Sequence, residues 1–89
     1  MGKVLVVYKV FADPEVLEKV SEALKSITEG EFKDMRREPI GFGIEIIRVG
    51  YVVPDKVDGA MDALEAAIKK IPGVNQAEVE ALTLIDKMI

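Results

Sequence analysis

The sequence contains no cysteine, no histidine and no tryptophan. Without cysteine there is neither a thiol nucleophile nor a disulfide, without histidine there is no imidazole base, and zinc sites of the usual cysteine/histidine kind go with them. Serine occurs only at Ser21 and Ser26, and no base is available to activate either hydroxyl. No stretch approaches the roughly 18 consecutive apolar residues of a membrane span. Met1-Gly2-Lys3 leads straight into a short apolar segment with no small-residue cleavage site behind it, so an untargeted cytoplasmic chain is expected. Basic side chains are in deficit, 12 against 16 acidic, for a net charge of −4, which disfavours binding that neutralises nucleic-acid phosphates. Asparagine and glutamine occur once each, at Asn75 and Gln76, amid abundant Lys and Glu, a composition associated with thermophiles.

What is present reads as one compact unit. Eighty-nine residues, 49% apolar and 31% charged, suit a single globular domain spanning 1–89. Lys3 to Phe11 is β-branched and aromatic, with Val4, Val6, Tyr8 and Val10 on one face and Leu5, Val7 and Phe11 on the other, which predicts a central strand. Asp13-Pro14 offers a capping carboxylate and a proline at the first helical position. The spacing of Val16, Val20, Ala23, Leu24 and Ile27 predicts a helix over about 13–28, stopped at Gly30. Glu31 to Glu38 is charged and weakly periodic, as a short edge strand would be. Pro39 holds Glu38 extended, Gly41 and Gly43 loosen the chain around Phe42, and Ile44 to Val53 resumes as a strand, completing a hairpin. Val57, Met61, Leu64, Ile68 and Ile71 mark a second helix ending at Pro72-Gly73, and Val74 to Ile85 alternates as a last strand.

The order β-α-β-β-α-β matches the split βαβ, ferredoxin-like sandwich of the α+β class, a four-stranded antiparallel sheet with two helices on one face and the first and third strands in the middle. Those central strands are apolar on both sides. The helix-free face is therefore a candidate surface for a partner or a second copy of the chain, against the alternative of ordinary apolar surface.

Most carboxylates fall on polar helix faces or beside turns and read as solvated surface rather than as an acid/base pair. Asp55 and Asp58 read as caps of the second helix, with too few oxygen ligands nearby for calcium. Gly41-Phe42-Gly43 is no phosphate loop: it lacks the further glycine and the Lys-Ser/Thr, and it precedes a strand. The RNA-recognition motif shares this fold, but Ile40 to Ile47 lacks its basic residue and later stacking aromatics. Phe42, between two glycines, either projects as an anchor into a partner or turns inward to cap the core.

Glu38-Pro39-Ile40-Gly41-Phe42-Gly43-Ile44, the strand Ile47 to Val53, Asp55-Lys56-Val57 with an acidic-faced helix, and the Pro72-Gly73-Val74 turn together resemble the guanine-nucleotide exchange domain of the elongation factor 1-beta family, in its short archaeal form. The resemblance covers essentially the whole chain, and the hairpin motif is its most specific part. It implies a non-enzymatic exchange factor that binds elongation factor 1-alpha and promotes GDP release. It implies no cofactor of its own, GDP, GTP and magnesium belonging to the partner, and no direct nucleic-acid or membrane contact. Pro39, Ile40, Gly41, Phe42 and Gly43 would form the partner-binding hairpin. A lysine near the carboxyl terminus of eukaryotic members reaches toward the magnesium site; a gapless alignment puts Leu84 at its place here, and Lys87 is the nearest basic residue to take the role. The alternatives are an RNA-recognition-like domain or a small-ligand regulatory sandwich module.

Overall fold

A computed structural model describes residues 2–42, 44–54 and 59–85. Strand β1 (Lys3–Ala12) runs down the middle, followed by a 3₁₀ turn (Pro14–Val16), helix α1 (Leu17–Lys25), strands β2 (Glu31–Gly41) and β3 (Ile44–Pro54), helix α2 (Ala60–Lys69) and strand β4 (Val74–Ile85). The sheet order is β2-β3-β1-β4 and every pairing is antiparallel. This is the ferredoxin-like α+β sandwich, with the first and third strands central as expected.

Two-residue periodicity sorts the sheet's faces. Val4, Val6, Tyr8 and Val10 of β1 stand opposite Val53, Tyr51, Val49 and Ile47 of β3, and these eight make the floor of the core. Leu17, Val20 and Leu24 from α1 and Leu64 and Ile68 from α2 cover it. Each helix presents one apolar stripe, and burial of each large aliphatic side chain contributes about 1.5–3 kcal/mol. Both tyrosines are fully buried under the helices. The Tyr51 hydroxyl donates to the Leu24 carbonyl at 2.6 Å, joining α1 to β3, and the Tyr8 hydroxyl donates more weakly to the Met61 carbonyl at 3.4 Å.

Local expectations for the first helix need correction. Its opening turn is 3₁₀, the α-helix begins only at Leu17, and it is capped at Ser26 rather than running to about residue 28. Asp13 makes no side-chain cap, because its carboxylate instead accepts the Asn75 side-chain amide at 2.9 Å, fastening the start of this segment to the start of β4. Pro14 supplies no N–H, and the Val16 amide reaches back only three residues to the Asp13 carbonyl, which tightens the turn. Gly30 has a packing role: a Cβ there would lie 3.2 Å from Leu64, Tyr51 and Val53 side chains. Leu17 is a buried stripe position missing from the expected set. β2 runs three residues further than expected, to Gly41, with Pro39 tolerated because the strand is an edge. Asp55, Asp58 and Val57 lie outside the described residues; α2 is preceded by Gly59, at φ +80°.

Burial of the tyrosines has a pH consequence. Burial first, then the nearby carboxylates of Glu65 and Asp62, pushes the Tyr8 hydroxyl from its ordinary 10 up to about 12, and burial pushes Tyr51 higher still. The folded state thus holds protons that the unfolded chain releases. This contribution is complete below pH 10 and drains away as pH rises from there through about 12, by about 2–3 kcal/mol for Tyr8 alone. Urea midpoints measured across pH 8–12 should fall steeply above pH 10, and a level profile would contradict the burial of these hydroxyls.

Candidate functional site: the β2–β3 hairpin tip

The hairpin leaves the body of the domain at its narrow end. The molecule measures 43 × 22 × 17 Å, and the tip extends beyond the row in which Phe11 of β1 pairs with Ile46. Pro39 stands opposite Glu45 and Gly41 opposite Ile44, with a register shift between the two pairs. Gly41 has φ +113°, and a Cβ there would meet nothing within 4 Å among the described residues, so backbone conformation rather than crowding calls for glycine. The next residue, Phe42, has φ +55°, a conformation that a bulky side chain rarely adopts.

Phe42 is fully exposed, at 103%, and Ile40 and Ile44 beside it are 52% and 43% exposed. Of the two readings of Phe42, the inward one is therefore overturned: the core is closed by residues of β1, β3 and the helices, and the tip lies past them. Ile44, the last residue of the quoted motif although not among the expected contact residues Pro39 to Gly43, is exposed with Ile40 and Phe42. Gly43, the last of the expected contact residues, lies outside the described residues.

Charged side chains brace the arm below the tip. Arg37 Nε bonds Glu45 Oε1 at 3.1 Å across the hairpin. Arg48 pairs with Glu38 on β2 and, through Nε, with Glu80 Oε1 on β4 at 2.7 Å, so one guanidinium ties the arm to the opposite edge of the sheet. The side-chain hydrogen bond from Arg48 holds the Glu80 carboxyl below its usual range and raises Arg48 further. These pairs are partly exposed and screened by salt, so their role is orientation more than stability.

The other expected contact point lies elsewhere. Ile85, the last described residue, pairs with Lys3, at the opposite end of β1 from the hairpin. The nine residues Lys3 to Phe11 span about 27 Å, so the tip and the end of β4 are not one site. Lys87 itself lies outside the described residues. Leu84, at the aligned position, pairs with Val4 and is 57% exposed on the edge strand. Among the described residues no group of three or more carboxylates is placed to hold a metal ion, and no helix is long and apolar enough to cross a membrane.

Residues 5–85 match the family described as EF-1 guanine nucleotide exchange domain. The chain belongs to that family. Among curated proteins it is 42% identical over 87 residues to "Elongation factor 1-beta" of Methanoculleus marisnigri, covering 96% of this chain and 100% of that one. It is 40% identical to the protein of that name from Methanoregula boonei, over 94% of this chain and 99% of the relative. The protein of the same name from Metallosphaera sedula is likewise 40% identical, over 93% and 96% of the two chains. Among solved structures, the C-terminal domain of the MgtC protein from Mycobacterium tuberculosis superposes with a TM-score of 0.66 at 16% identity, covering 88% of this chain and 86% of that one. The ACT domain from GTP pyrophosphokinase of Chlorobium tepidum gives 0.64 at 12% identity, over 88% and 99%. At such identities these two show only the shared sandwich fold.

Proposed function

We propose that this protein is a guanine-nucleotide exchange factor that accelerates GDP release from elongation factor 1-alpha, using the hairpin tip as its anchor. The observation that supports the reading best is the family match over residues 5–85, which includes the hairpin whose Phe42 stands fully exposed. An exchange factor needs no nucleophile and no acid/base pair. It must bind the nucleotide-free partner more tightly than the nucleotide-bound one, and linkage then obliges it to weaken nucleotide binding by the same factor. The absence of cysteine and histidine costs such a protein nothing.

The rod-like shape supports a division of labour. Phe42, with Ile40 and Ile44, docks on the body of the elongation factor, while the far end, where β4 finishes, approaches the nucleotide. Lys87 is the cation we assign to that end, and a flexible ammonium suits a site that otherwise holds magnesium. GDP, GTP and magnesium are the partner's ligands in this scheme, and the domain carries no cofactor and catalyses no bond-making step.

The test is release of a fluorescent GDP analogue from the cognate elongation factor 1-alpha with this protein at catalytic concentration. Acceleration is expected, with no GTP hydrolysis by the protein alone; unchanged release from a folded cognate pair would defeat the reading. In the same assay Lys87→Ala should slow exchange by at least tenfold while affinity for the nucleotide-free partner falls less, and raised magnesium should depress the parent rate. An unaltered rate in Lys87→Ala would remove that residue from the mechanism and leave the hairpin contact standing.

A further inference from the structure

The helix-free face of the sheet holds a depression of about 310 Å³, at the small end of ligand-binding concavities. Its walls are the aliphatic side chains of Leu5, Val7, Val52 and Ile85, and Gly50 lies in its floor. Gly50 sits in the interior of a central strand, where glycine weakens pairing by about 0.5–1 kcal/mol relative to alanine. Neither backbone nor packing demands it. Its φ is not among the positive ones, and a Cβ would meet Leu5 Cδ1 at 3.5 Å and the Asp34 carbonyl at 3.9 Å, both ordinary contacts. In a strand interior such a glycine goes with a bulge in the ladder or with close approach by another group. Beside it, the register of β2 shifts between Phe32 and Asp34, so the edge bulges at Lys33 next to the floor that lacks a side chain.

The rim has a sign opposite to that of the whole protein. Arg36 and Lys33 form no ion pair among the described residues, whereas Arg48 is taken up by Glu38 and Glu80. Asp34 Oδ1 accepts the Met35 amide at 2.8 Å. A guanidinium fork at the lip of an aliphatic hollow is complementary to a carboxylate with an apolar tail. A second copy of the chain is a poor occupant. Arg36, Arg48 and Lys9 lie in one row across β2, β3 and β1 with Glu78 of β4 at its end, and a face-to-face two-fold along that row sets each cation against its own copy.

We propose that this depression is a binding site for a small aliphatic monocarboxylate, its tail over Gly50 among Leu5, Val7 and Val52 and its carboxylate on Arg36. The site lies away from the hairpin tip; its wall Ile85 ends the strand that the exchange reading carries toward the nucleotide, and the test below uses the protein without its partner.

Sodium octanoate titrated into the ¹⁵N-labelled full chain should shift the amides of Leu5, Val7, Gly50 and Val52 saturably. Octylammonium chloride should bind at least tenfold more weakly. Arg36→Gln should weaken octanoate about tenfold, and Gly50→Val, which fills the floor, should abolish the shifts. Should Gly50→Val fail to fold, Arg36→Gln and the octylammonium comparison decide. Saturable shifts elsewhere, none at all, equal binding of octylammonium, or undiminished binding to Arg36→Gln would overturn the proposal. Shifts at the same amides that depend on protein concentration without octanoate would assign the face to a second copy and overturn it too.

Discussion

Gly73→Ala should lower the melting temperature by about 10–25 °C. Gly73 has φ +98°, in the left-handed region that costs an L-residue about 1–2 kcal/mol. A Cβ built there would also come within 2.5 Å of Val16 Cγ2 and 3.3 Å of Val20 Cγ2. Overpacking of this kind adds about 1–3 kcal/mol, and in a domain of this size each kcal/mol moves the midpoint by about 4–8 °C. Escape is restricted, because Gly73 accepts the Asp13 amide through its carbonyl and is thereby fixed to the turn that carries Val16. Val16→Ala should recover part of the loss in the double variant, isolating the steric share from the conformational one. A single variant that melts within about 2 °C of the parent would contradict both the φ and the packing at this junction.

Phe42→Ala should cut affinity for nucleotide-free elongation factor 1-alpha by about 1–4 kcal/mol, the range of an interface anchor, while leaving the melting temperature within about 2 °C. The side chain touches no core residue and stands on a backbone at φ +55° that a phenylalanine adopts only at a conformational cost. Phe42→Gly relieves that cost and should be at least as stable as the parent, yet equally poor in binding. Calorimetric titration with paired thermal melts separates the outcomes. Binding lost only in proportion to unfolding would return Phe42 to a structural role, and undiminished binding by a stable variant would remove the tip from the interface.

The elements whose reasons are local were legible in the sequence. β1 and β3 carry β-branched residues at a two-residue period, β4 alternates over part of its length, and all three lie within a residue of where the pattern puts them. What escaped was long-range. The Asp13 carboxylate looked like a helix cap because its alternative partner, Asn75, is 62 residues away. The Arg48 brace depends on the register of all four strands and a bulge in β4, neither visible in composition. The direction of Phe42 was undecidable from its glycine neighbours, since it is the length of β2 that carries the tip clear of the core. Hairpin residues Pro39 to Phe42 were found by their motif; their exposure needed the fold.

The strand order also governs when the domain can assemble. β1, synthesised before the other three strands of the sheet, pairs with β3 and β4, so Val4 meets Val53 and Leu84. Contacts of that sequence separation close late and slowly, on the millisecond-to-second scale of high-contact-order domains rather than the microseconds of helical ones. Until β4 arrives, β1 presents a Val-rich strand with an open edge, the kind of surface that recruits another chain. The hairpin β2–β3, local in sequence, can form beforehand. Each new copy would therefore display its hairpin tip before it owns a finished sheet to hold it.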